Sequence, residues 1–346
     1  MKFGIIGTGL IADFHAQAIR EIPGCEVVAC MDVVPERAQA FGAKYRCAAY
    51  SDMSKFLQHP GLEIVTVCTP SGTHMEAAVQ AAQAGKHLIV EKPIEITLER
   101  IDTIIEACEK NGVTLSGVFM SRYYEGAKLL KQAVETGRFG KLTLGSAYIK
   151  WWRSQEYYDK GGWKGTKRYD GGGALMNQGI HAIDLLQWFM GPVESVLSYC
   201  ATLGHERIEV EDTAVAALRF RNGALGLIEG STAAYPGFPK RIEISGVGGS
   251  VILEDEFFKC WQFASELPDD EAIRQRLAPK EGSGKGAADP SAIGYLGHRL
   301  QFEDVVNSIR QGKRPSVDGQ EARKAVEIIL AIYRSAETGK EVQLPL

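Results

Sequence analysis

The strongest constraint on the fold is a glycine-rich turn at residues 7–12, directly after a short apolar run at residues 3–6. The turn reads Gly-x-Gly-x-x-Ala and is followed by a helical pattern. Gly7 permits a tight turn, Gly9 lets backbone amides approach a pyrophosphate, and Ala12 is small enough for the helix to lie close to its strand. The N-terminus of that helix faces the phosphates. The segment predicts a dinucleotide-binding unit whose turn residues contact the cofactor: Gly7, Thr8, Gly9, Leu10 and Ile11.

A carboxylate further along the chain indicates which dinucleotide binds. A second apolar run at residues 26–31 ends in Asp32, which can hold both ribose hydroxyls and would repel a 2′-phosphate. Positions 33 and 34 are valines rather than arginines, so we predict NAD rather than NADP. Arg37, one helical turn further on, leaves NADP open, although we interpret it as a solvent-exposed charge.

Composition limits the classes of partner. The chain has 346 residues, 45% of them hydrophobic, which supports full cores in two domains. A formal net charge of −4 and no basic run argue against a nucleic-acid surface. The first apolar run is too short for a signal peptide or membrane span. The seven cysteines lack metal-type spacing, so we expect reduced core thiols, no metal site and a cytoplasmic protein.

Short β-type runs alternate with helical patterns up to about residue 120. Such alternation predicts a parallel, doubly wound sheet. We therefore expect an α/β fold with an N-terminal Rossmann domain at residues 1–120. Its predicted strands are Phe3–Gly7, Val27–Asp32, Ile64–Cys68, His87–Glu91 and Thr114–Phe119.

Longer strand-like runs then follow one another without helices between them, which predicts a large open, mostly antiparallel sheet in a second, α+β domain at residues 121–346. Asn222-Gly223 predicts a hairpin between two of these runs. A polar stretch from Glu266 to Pro290 is typical of a surface loop, and two helices are expected after it, which can pack back on the first domain. The predicted strands and helices are Ser198–Thr202, Thr213–Phe220, Ala224–Thr232, Arg241–Gly246, Ser250–Glu254, Gln301–Arg310 and Glu321–Thr338.

Glu91-Lys92-Pro93 follows a predicted parallel strand, where the carboxyl end of the strand opens onto a ligand crevice. Lys92 can polarise a substrate hydroxyl or carbonyl there, and a nearby nicotinamide cation would lower its pKa. The alternative is a surface lysine before a turn proline. Thr69, Pro70 and His74 are expected to line the nicotinamide-ribose pocket. The other histidines outside the next motif, His298 among them, are assigned by default to surface or core.

A second set of reactive groups stands in a glycine-rich approach to a helix at residues 171–184. Asn177 and His181 lie four residues apart and share one helical face if the helix begins early enough. His181 can take a proton from a hydroxyl and Asn177 can orient the substrate. The alternative for His181 is a structural histidine. Asp184 is either a supporting partner or a charge on the helix face.

An aromatic and basic stretch lies between these motifs. Three of the chain's five tryptophans fall within thirteen residues there, beside several charges. Aromatic faces stack on sugar rings, and basic groups suit anions. Core packing is the alternative. The residues predicted to hold a substrate are Arg153, Tyr157, Tyr158, Trp163 and Lys164.

The order of these motifs resembles the glucose-fructose oxidoreductase and inositol dehydrogenase family over essentially the whole chain. The resemblance implies that Lys92 and the Glu91 and Pro93 beside it lie at the nicotinamide, often with a cis bond before the proline. It implies that His181 is the proton acceptor. Asn177 departs from the family's frequent aspartate, which weakens the case for a carboxylate relay. Subunit pairing through the open sheet, as a homodimer or homotetramer, is also implied.

We therefore expect an NAD-dependent oxidoreductase that transfers hydride between a hydroxyl carbon of a sugar and nicotinamide. The wording of the second motif is similar to members that oxidise sugars or nucleotide-sugar uronates. Two alternatives stay open. One is a glycosidase that retains NAD and uses transient oxidation to drive elimination, and the other is a non-catalytic NAD or sugar sensor.

Overall fold

The computed structural model describes residues 1–160, 162–279, 287–288 and 294–346. The chain divides into two compact units. Unit 1 comprises Met1–Met120 and Gly294–Arg323, and unit 2 comprises Ser121–Ile293 and Lys324–Leu346. Among the described residues, no helix has the length and apolar composition needed to cross a membrane.

Unit 1 contains a sheet of six parallel strands in the order β3-β2-β1-β4-β5-β6. This order confirms the predicted doubly wound Rossmann sheet. The three-residue strand β3 was missed because it is short and none of its side chains is fully buried. The strands are β1 Lys2–Ile6, β2 Glu26–Met31, β3 Ala48–Tyr50, β4 Ile64–Val67, β5 His87–Val90 and β6 Leu115–Gly117.

The helices of unit 1 connect these strands, and one of them comes from the C-terminal part of the chain. Phe302, Val305 and Val306 of that late helix, α10, share one apolar core with Phe3 and Ile5 of β1. Residues about 300 positions apart in the chain thus build one core. The helices are α1 Leu10–Arg20, α2 Pro35–Tyr45, α3 Met53–Leu57, α4 His74–Gln83, α5 Leu98–Lys110 and α10 Leu296–Gln311.

Unit 2 contains a sheet of eight strands in the order β13-β12-β11-β7-β10-β9-β8-β14. Its neighbouring strands are antiparallel except β7 and β10, which run parallel, so the predicted mostly antiparallel sheet is confirmed. Strands β7, β13 and β14 were not predicted. The strands are β7 Leu142–Lys150, β8 Val193–Ala201, β9 Thr213–Phe220, β10 Leu225–Ser231, β11 Arg241–Gly246, β12 Gly249–Glu254, β13 Phe257–Phe263 and β14 Val342–Gln343.

Five helices accompany this sheet. The turn between β9 and β10 confirms the predicted hairpin, with Gly223 at φ +87°. The predicted loop at residues 266–290 is wrong where α9 forms, and residues 280–286 and 289–290 of it lie outside the described chain. The helices are α6 Glu125–Glu135, α7 Gln155–Asp159, α8 Ile180–Met190, α9 Asp270–Arg276 and α11 Gly319–Thr338, the last of which begins in unit 1.

Candidate active site

The glycine turn of unit 1 has the geometry that a dinucleotide requires. Gly7 adopts φ +84°, and a Cβ there would lie 2.8 Å from the carbonyl oxygen of Cys68. A Cβ added to Gly9, by contrast, would meet nothing within 4 Å. Gly9 therefore leaves open space at the start of α1, which begins at Leu10, and the pyrophosphate of a dinucleotide fits that space.

Asp32 is fixed at the end of β2 by backbone and side-chain donors. Its Oδ2 accepts hydrogen bonds from the Thr8 amide (2.9 Å) and hydroxyl (2.8 Å), and its Oδ1 accepts one from the Val34 amide (3.0 Å). Each carboxylate oxygen accepts about two hydrogen bonds, so Oδ1 keeps acceptor capacity for a ribose hydroxyl. Arg37 is exposed on α2, as expected for a solvated charge.

The side chain of His74 links two loops rather than lining an open surface. It is 1% exposed, with Nδ1 2.9 Å from the carbonyl oxygen of Pro93 and Nε2 2.9 Å from that of Thr69. These contacts tie the chain after β4 to the chain after β5. Thr69 and Pro70 themselves are partly exposed. Leu10 is exposed and Ile11 partly exposed at the start of α1.

Lys92 follows β5 and precedes a cis peptide bond to Pro93. The carboxylate beside it belongs to a buried group that we name the Glu91 cluster: His15, Cys68, Glu91 and His298. Glu91 Oε1 lies 2.8 Å from His15 Nε2 and 3.4 Å from His298 Nε2, and Oε2 accepts the Lys92 amide at 2.9 Å. The backbone of Lys92 is thus held by the side chain that precedes it.

Burial raises the pKa of the Glu91 carboxyl, but hydrogen bonds and charge interactions with His15 and His298 hold that pKa well below its usual range. Burial lowers the pKa of His15, partly offset by Glu91. The ligand atoms of His15, Glu91 and His298 all lie within 4.8 Å of one another, close enough to consider a metal ion. Their 2.8 Å and 3.4 Å contacts are hydrogen-bonding distances, so we interpret the cluster as a hydrogen-bonded anchor.

In unit 2, the glycine-rich motif forms a π-helical turn at Ala174–Gly179 that passes directly into α8. Asn177 lies in this turn and His181 in the first turn of α8. The α-helix therefore begins too late to include Asn177, so the condition for a shared α-helical face is not met and the wider π turn precedes α8 instead. From Gly172 to Gln187, however, every residue is buried except Asn177 and His181. Within this segment, the two predicted reactive residues are thus the partly exposed ones.

A carboxylate does lie against Asn177, but it comes from Asp170. Asn177 Nδ2 donates to Asp170 Oδ1 (2.5 Å), and Asp170 Oδ2 accepts the amide of Gly165 (2.8 Å). Asp170 is 1% exposed. Asp170 was not predicted as a site residue, because nothing in its spacing from Asn177 marks a shared site.

Three of the predicted substrate residues join Asn177 in one polar network of unit 2. Gln178 accepts from Arg153 Nη2 (2.9 Å) and donates to Tyr157 Oη (3.1 Å) and to Asn177 Oδ1 (3.1 Å). Lys164 Nζ lies 3.8 Å from the centre of the Tyr157 ring. Burial lowers the pKa of Lys164, an effect that the nearby Asp170 charge partly offsets.

The other predicted residues of unit 2 have different surroundings. Tyr158 is buried, with Oη 2.9 Å from the Thr232 hydroxyl, and so belongs to the core. Trp163 is partly exposed. Asp184 is fully buried in a two-pronged ion pair with Arg122, at 2.6 and 2.8 Å, which excludes an exposed charge on the helix face.

Comparison with known proteins assigns the family. Residues 1–119 match the model of an oxidoreductase family with an NAD-binding Rossmann fold, and residues 127–252 match the GFO/IDH/MocA C-terminal domain. The chain is 28% identical to myo-inositol 2-dehydrogenase of Thermotoga maritima, covering 99% of this chain and 98% of that protein.

Two solved structures are similar over the whole chain. The WlbA dehydrogenase of Bordetella pertussis, in complex with NADH and UDP-GlcNAcA, is 37% identical with a TM-score of 0.90, covering 100% of this chain and 98% of that one. The WlbA enzyme of Chromobacterium violaceum, with the same ligands, is 33% identical with a TM-score of 0.88, covering 100% and 96%. The predicted family and cofactor are confirmed, and the chain belongs to the GFO/IDH/MocA family of NAD-dependent oxidoreductases.

Proposed function

We propose that this enzyme oxidises a ring hydroxyl of a nucleotide-linked sugar that carries a carboxylate. At the coarser level it is an NAD-dependent sugar dehydrogenase. The observation that carries the proposal is the selective exposure of Asn177 and His181 in an otherwise buried segment, beside the network of Arg153, Tyr157 and Lys164. The WlbA structures with bound UDP-GlcNAcA support this substrate class.

The proposed roles follow from the chemistry of each side chain. His181 accepts the hydroxyl proton, because a neutral imidazole is a base near neutral pH. Asn177 orients the hydroxyl, with its amide fixed by Asp170 and Gln178. Lys92, in unit 1, supplies the positive charge that polarises the substrate hydroxyl or carbonyl oxygen at the nicotinamide end of the cofactor. When bound, NAD supplies the hydride acceptor.

The charges around Tyr157 favour an anionic substrate. Arg153 and Lys164 carry two positive charges and Asp170 one negative charge, so the network has a surplus of positive charge. Arg153 is buried and bonded to backbone carbonyls, whereas Lys164 is only half-buried. We therefore assign Lys164 to the substrate carboxylate and Tyr157, with the partly exposed Trp163, to the sugar face.

The test is NADH formation on a panel of sugars, uronates and their UDP conjugates. We expect turnover to be highest with a UDP-linked uronate. Lys92→Ala and His181→Ala should each lower kcat by about 100-fold or more, with the NAD dissociation constant nearly unchanged. Lys160→Ala is the matched control for Lys92→Ala, because Lys160 is exposed and pairs with Glu156.

Full turnover in the Lys92 and His181 variants would overturn the assigned roles. Substrate conversion without net NADH would instead indicate the NAD-retaining elimination enzyme. Binding of NAD and sugar without any conversion would indicate a sensor.

The outer face of the eight-stranded sheet supports a homodimer or homotetramer as part of the proposal. Large apolar side chains stand exposed on four adjacent strands, and such a patch is typical of a subunit interface. Light scattering measures the assembly. The exposed residues are Leu144, Leu197, Tyr199, Val215 and Leu225.

The free cysteines support a cytoplasmic location for the protein.

A further inference from the structure

One buried glutamate holds the start of the π turn. Glu211 Oε2 accepts the amide of Gly173 (2.9 Å), and Oε1 accepts the amide of Leu175 (2.8 Å). The main-chain oxygen of Glu211 accepts the amide between them, that of Ala174, at 3.0 Å. Three successive amides are therefore bound by a single residue just before β9. Helices leave their first amides without partners, and Glu211 supplies these partners here.

Tyr333 completes this arrangement from α11. Its hydroxyl donates to Glu211 Oε1 at 2.9 Å, so the two carboxylate oxygens accept three donors in all. The glycine motif makes room for it. A Cβ on Gly173 would lie 1.9 Å from the main-chain oxygen of Glu211, and one on Gly172 would lie 2.1 Å from the Tyr333 hydroxyl. The sequence Gly172-Gly173 is thus required by the approach of these two residues.

We propose that Glu211 is a positioning residue of the active site: by fixing the first amides of the π turn, it sets the positions of Asn177 and His181. This inference rests on the proposed function, which assigns the chemistry to those two side chains. The last of the three bonded amides belongs to Leu175, so Asn177 lies two residues and His181 six residues after it. A shift at Gly173 is passed on to both side chains, because the residues between Gly173 and His181 are buried except Asn177 and are therefore closely packed.

Glu211→Gln tests the proposal because it keeps the shape of the side chain and removes one acceptor. In either orientation the new amide group faces a backbone amide, that of Gly173 or that of Leu175, and donor then meets donor. We expect kcat/KM to fall about 100-fold, the cost of displacing catalytic groups by about 1 Å. We expect the NAD dissociation constant to stay unchanged, since the glycine turn and Asp32 lie in unit 1.

Asp270→Asn is the matched control. Asp270 is also a buried carboxylate of unit 2, but its partners Arg138, Trp261 and Leu267 belong to no part of the candidate site. We expect this variant to lose stability and to keep the wild-type kcat/KM. Amide hydrogen exchange is the second readout: residues 173–181 should exchange faster in Glu211→Gln and at the wild-type rate in Asp270→Asn.

The milder variant Tyr333→Phe keeps the test decisive if Glu211→Gln does not fold. It removes one of the three donors and leaves the backbone bonds, so we expect a loss of kcat/KM of about threefold to tenfold. Wild-type activity and wild-type exchange in the folded variants would overturn the positioning role. Full activity of His181→Ala would instead overturn the proposed function and leave the exchange result to judge the Glu211 contacts alone.

Discussion

Glu91 in unit 1 and Glu211 in unit 2 are both buried near predicted reactive side chains, but their pKa values are shifted in opposite directions. Each is a buried glutamate that accepts a backbone amide at or near a predicted catalytic residue. Glu91 accepts the amide of Lys92 itself, and Glu211 accepts that of Leu175, two residues before Asn177. Burial raises the pKa of both carboxyls. The pKa of Glu91 nevertheless falls well below its usual range, whereas that of Glu211 stays above it.

The two carboxyls differ in the kind of hydrogen-bond donor that faces them rather than in the number of donors. Glu91 receives one backbone amide and interacts with two imidazoles, and its hydrogen bonds and charge interactions with them together outweigh burial. Glu211 receives two backbone amides and a tyrosine hydroxyl, all neutral, and these only partly offset burial. The imidazole partners therefore favour the ionised form of the Glu91 carboxyl, whereas Glu211 serves mainly as an acceptor for the backbone.

Gly173→Ala should have the largest effect on the free energy of unfolding, and it disturbs only the surroundings of Glu211 in unit 2. The new Cβ would lie 1.9 Å from a main-chain oxygen, which cannot move without breaking the bond to Ala174. We expect the free energy of unfolding to fall by about 3 kcal/mol. Urea denaturation measures it, with Gly294→Ala as control because a Cβ there meets nothing within 4 Å. A loss below about 1 kcal/mol would show that the contact between Gly173 and Glu211 is not tight.

Glu91→Gln should have an intermediate effect, on the unit 1 side. The charge disappears while the size is kept, and we expect a loss of about 2 kcal/mol in unfolding free energy. Because the Lys92 amide loses part of its anchor, kcat should fall about tenfold. Glu95→Gln is the control, since Glu95 is equally buried but pairs with Arg100.

Addition of a chelator or of Zn²⁺ decides whether hydrogen bonds or a metal ion hold the Glu91 cluster together. A hydrogen-bonded cluster predicts that a chelator changes neither kcat nor the thermal midpoint of the wild-type protein. Thermal stabilisation by added Zn²⁺ that Glu91→Gln abolishes would instead identify His15, Glu91 and His298 as metal ligands.

Much of the fold could be predicted because its signals are local. The glycine turn, the alternating pattern and the position of Asp32 all lie within short segments, and they determine the parallel sheet of unit 1. Strand β3 lacked such a signal because its three residues are partly exposed or exposed. Strand β13 did carry a local signal, because its aromatic-rich run buries Phe258, Trp261 and Phe263, and it was nevertheless not predicted.

Local motifs suggest the candidate reactive groups, but they do not indicate the residues that support them. Lys92, Asn177 and His181 stand in motifs, whereas His15 and Glu91 are 76 residues apart and meet only in the folded chain. Glu211 was missed for the same reason, since it lies 36 and 38 residues from the amides that its side chain binds, whereas Asp170 was missed because its spacing from Asn177 matches no motif. The π turn was missed because hydrophobic periodicity favours an α-helix, and the wider turn depends on amides that bind the distant Glu211.

The smallest effect is the pH dependence of stability, and its sign separates the two glutamates. The pKa of Glu91 is lower in the folded chain than unfolded, so its contribution is fully present above pH 4.5 and is lost as pH falls towards the folded pKa. Glu211 has the opposite shift, so its contribution declines as pH rises above 4.5 through the raised pKa.

Urea denaturation of wild type, Glu91→Gln and Glu211→Gln across this range measures both slopes, since glutamine does not titrate. The difference between wild type and Glu91→Gln should grow with pH below 4.5 and then stay level. The difference between wild type and Glu211→Gln should be level below 4.5 and shrink above it, by at most about 1.4 kcal/mol per pH unit. Slopes of the same sign would mean that the donors of the two carboxylates do not set their ionisation, and the contrast between the two units would fail.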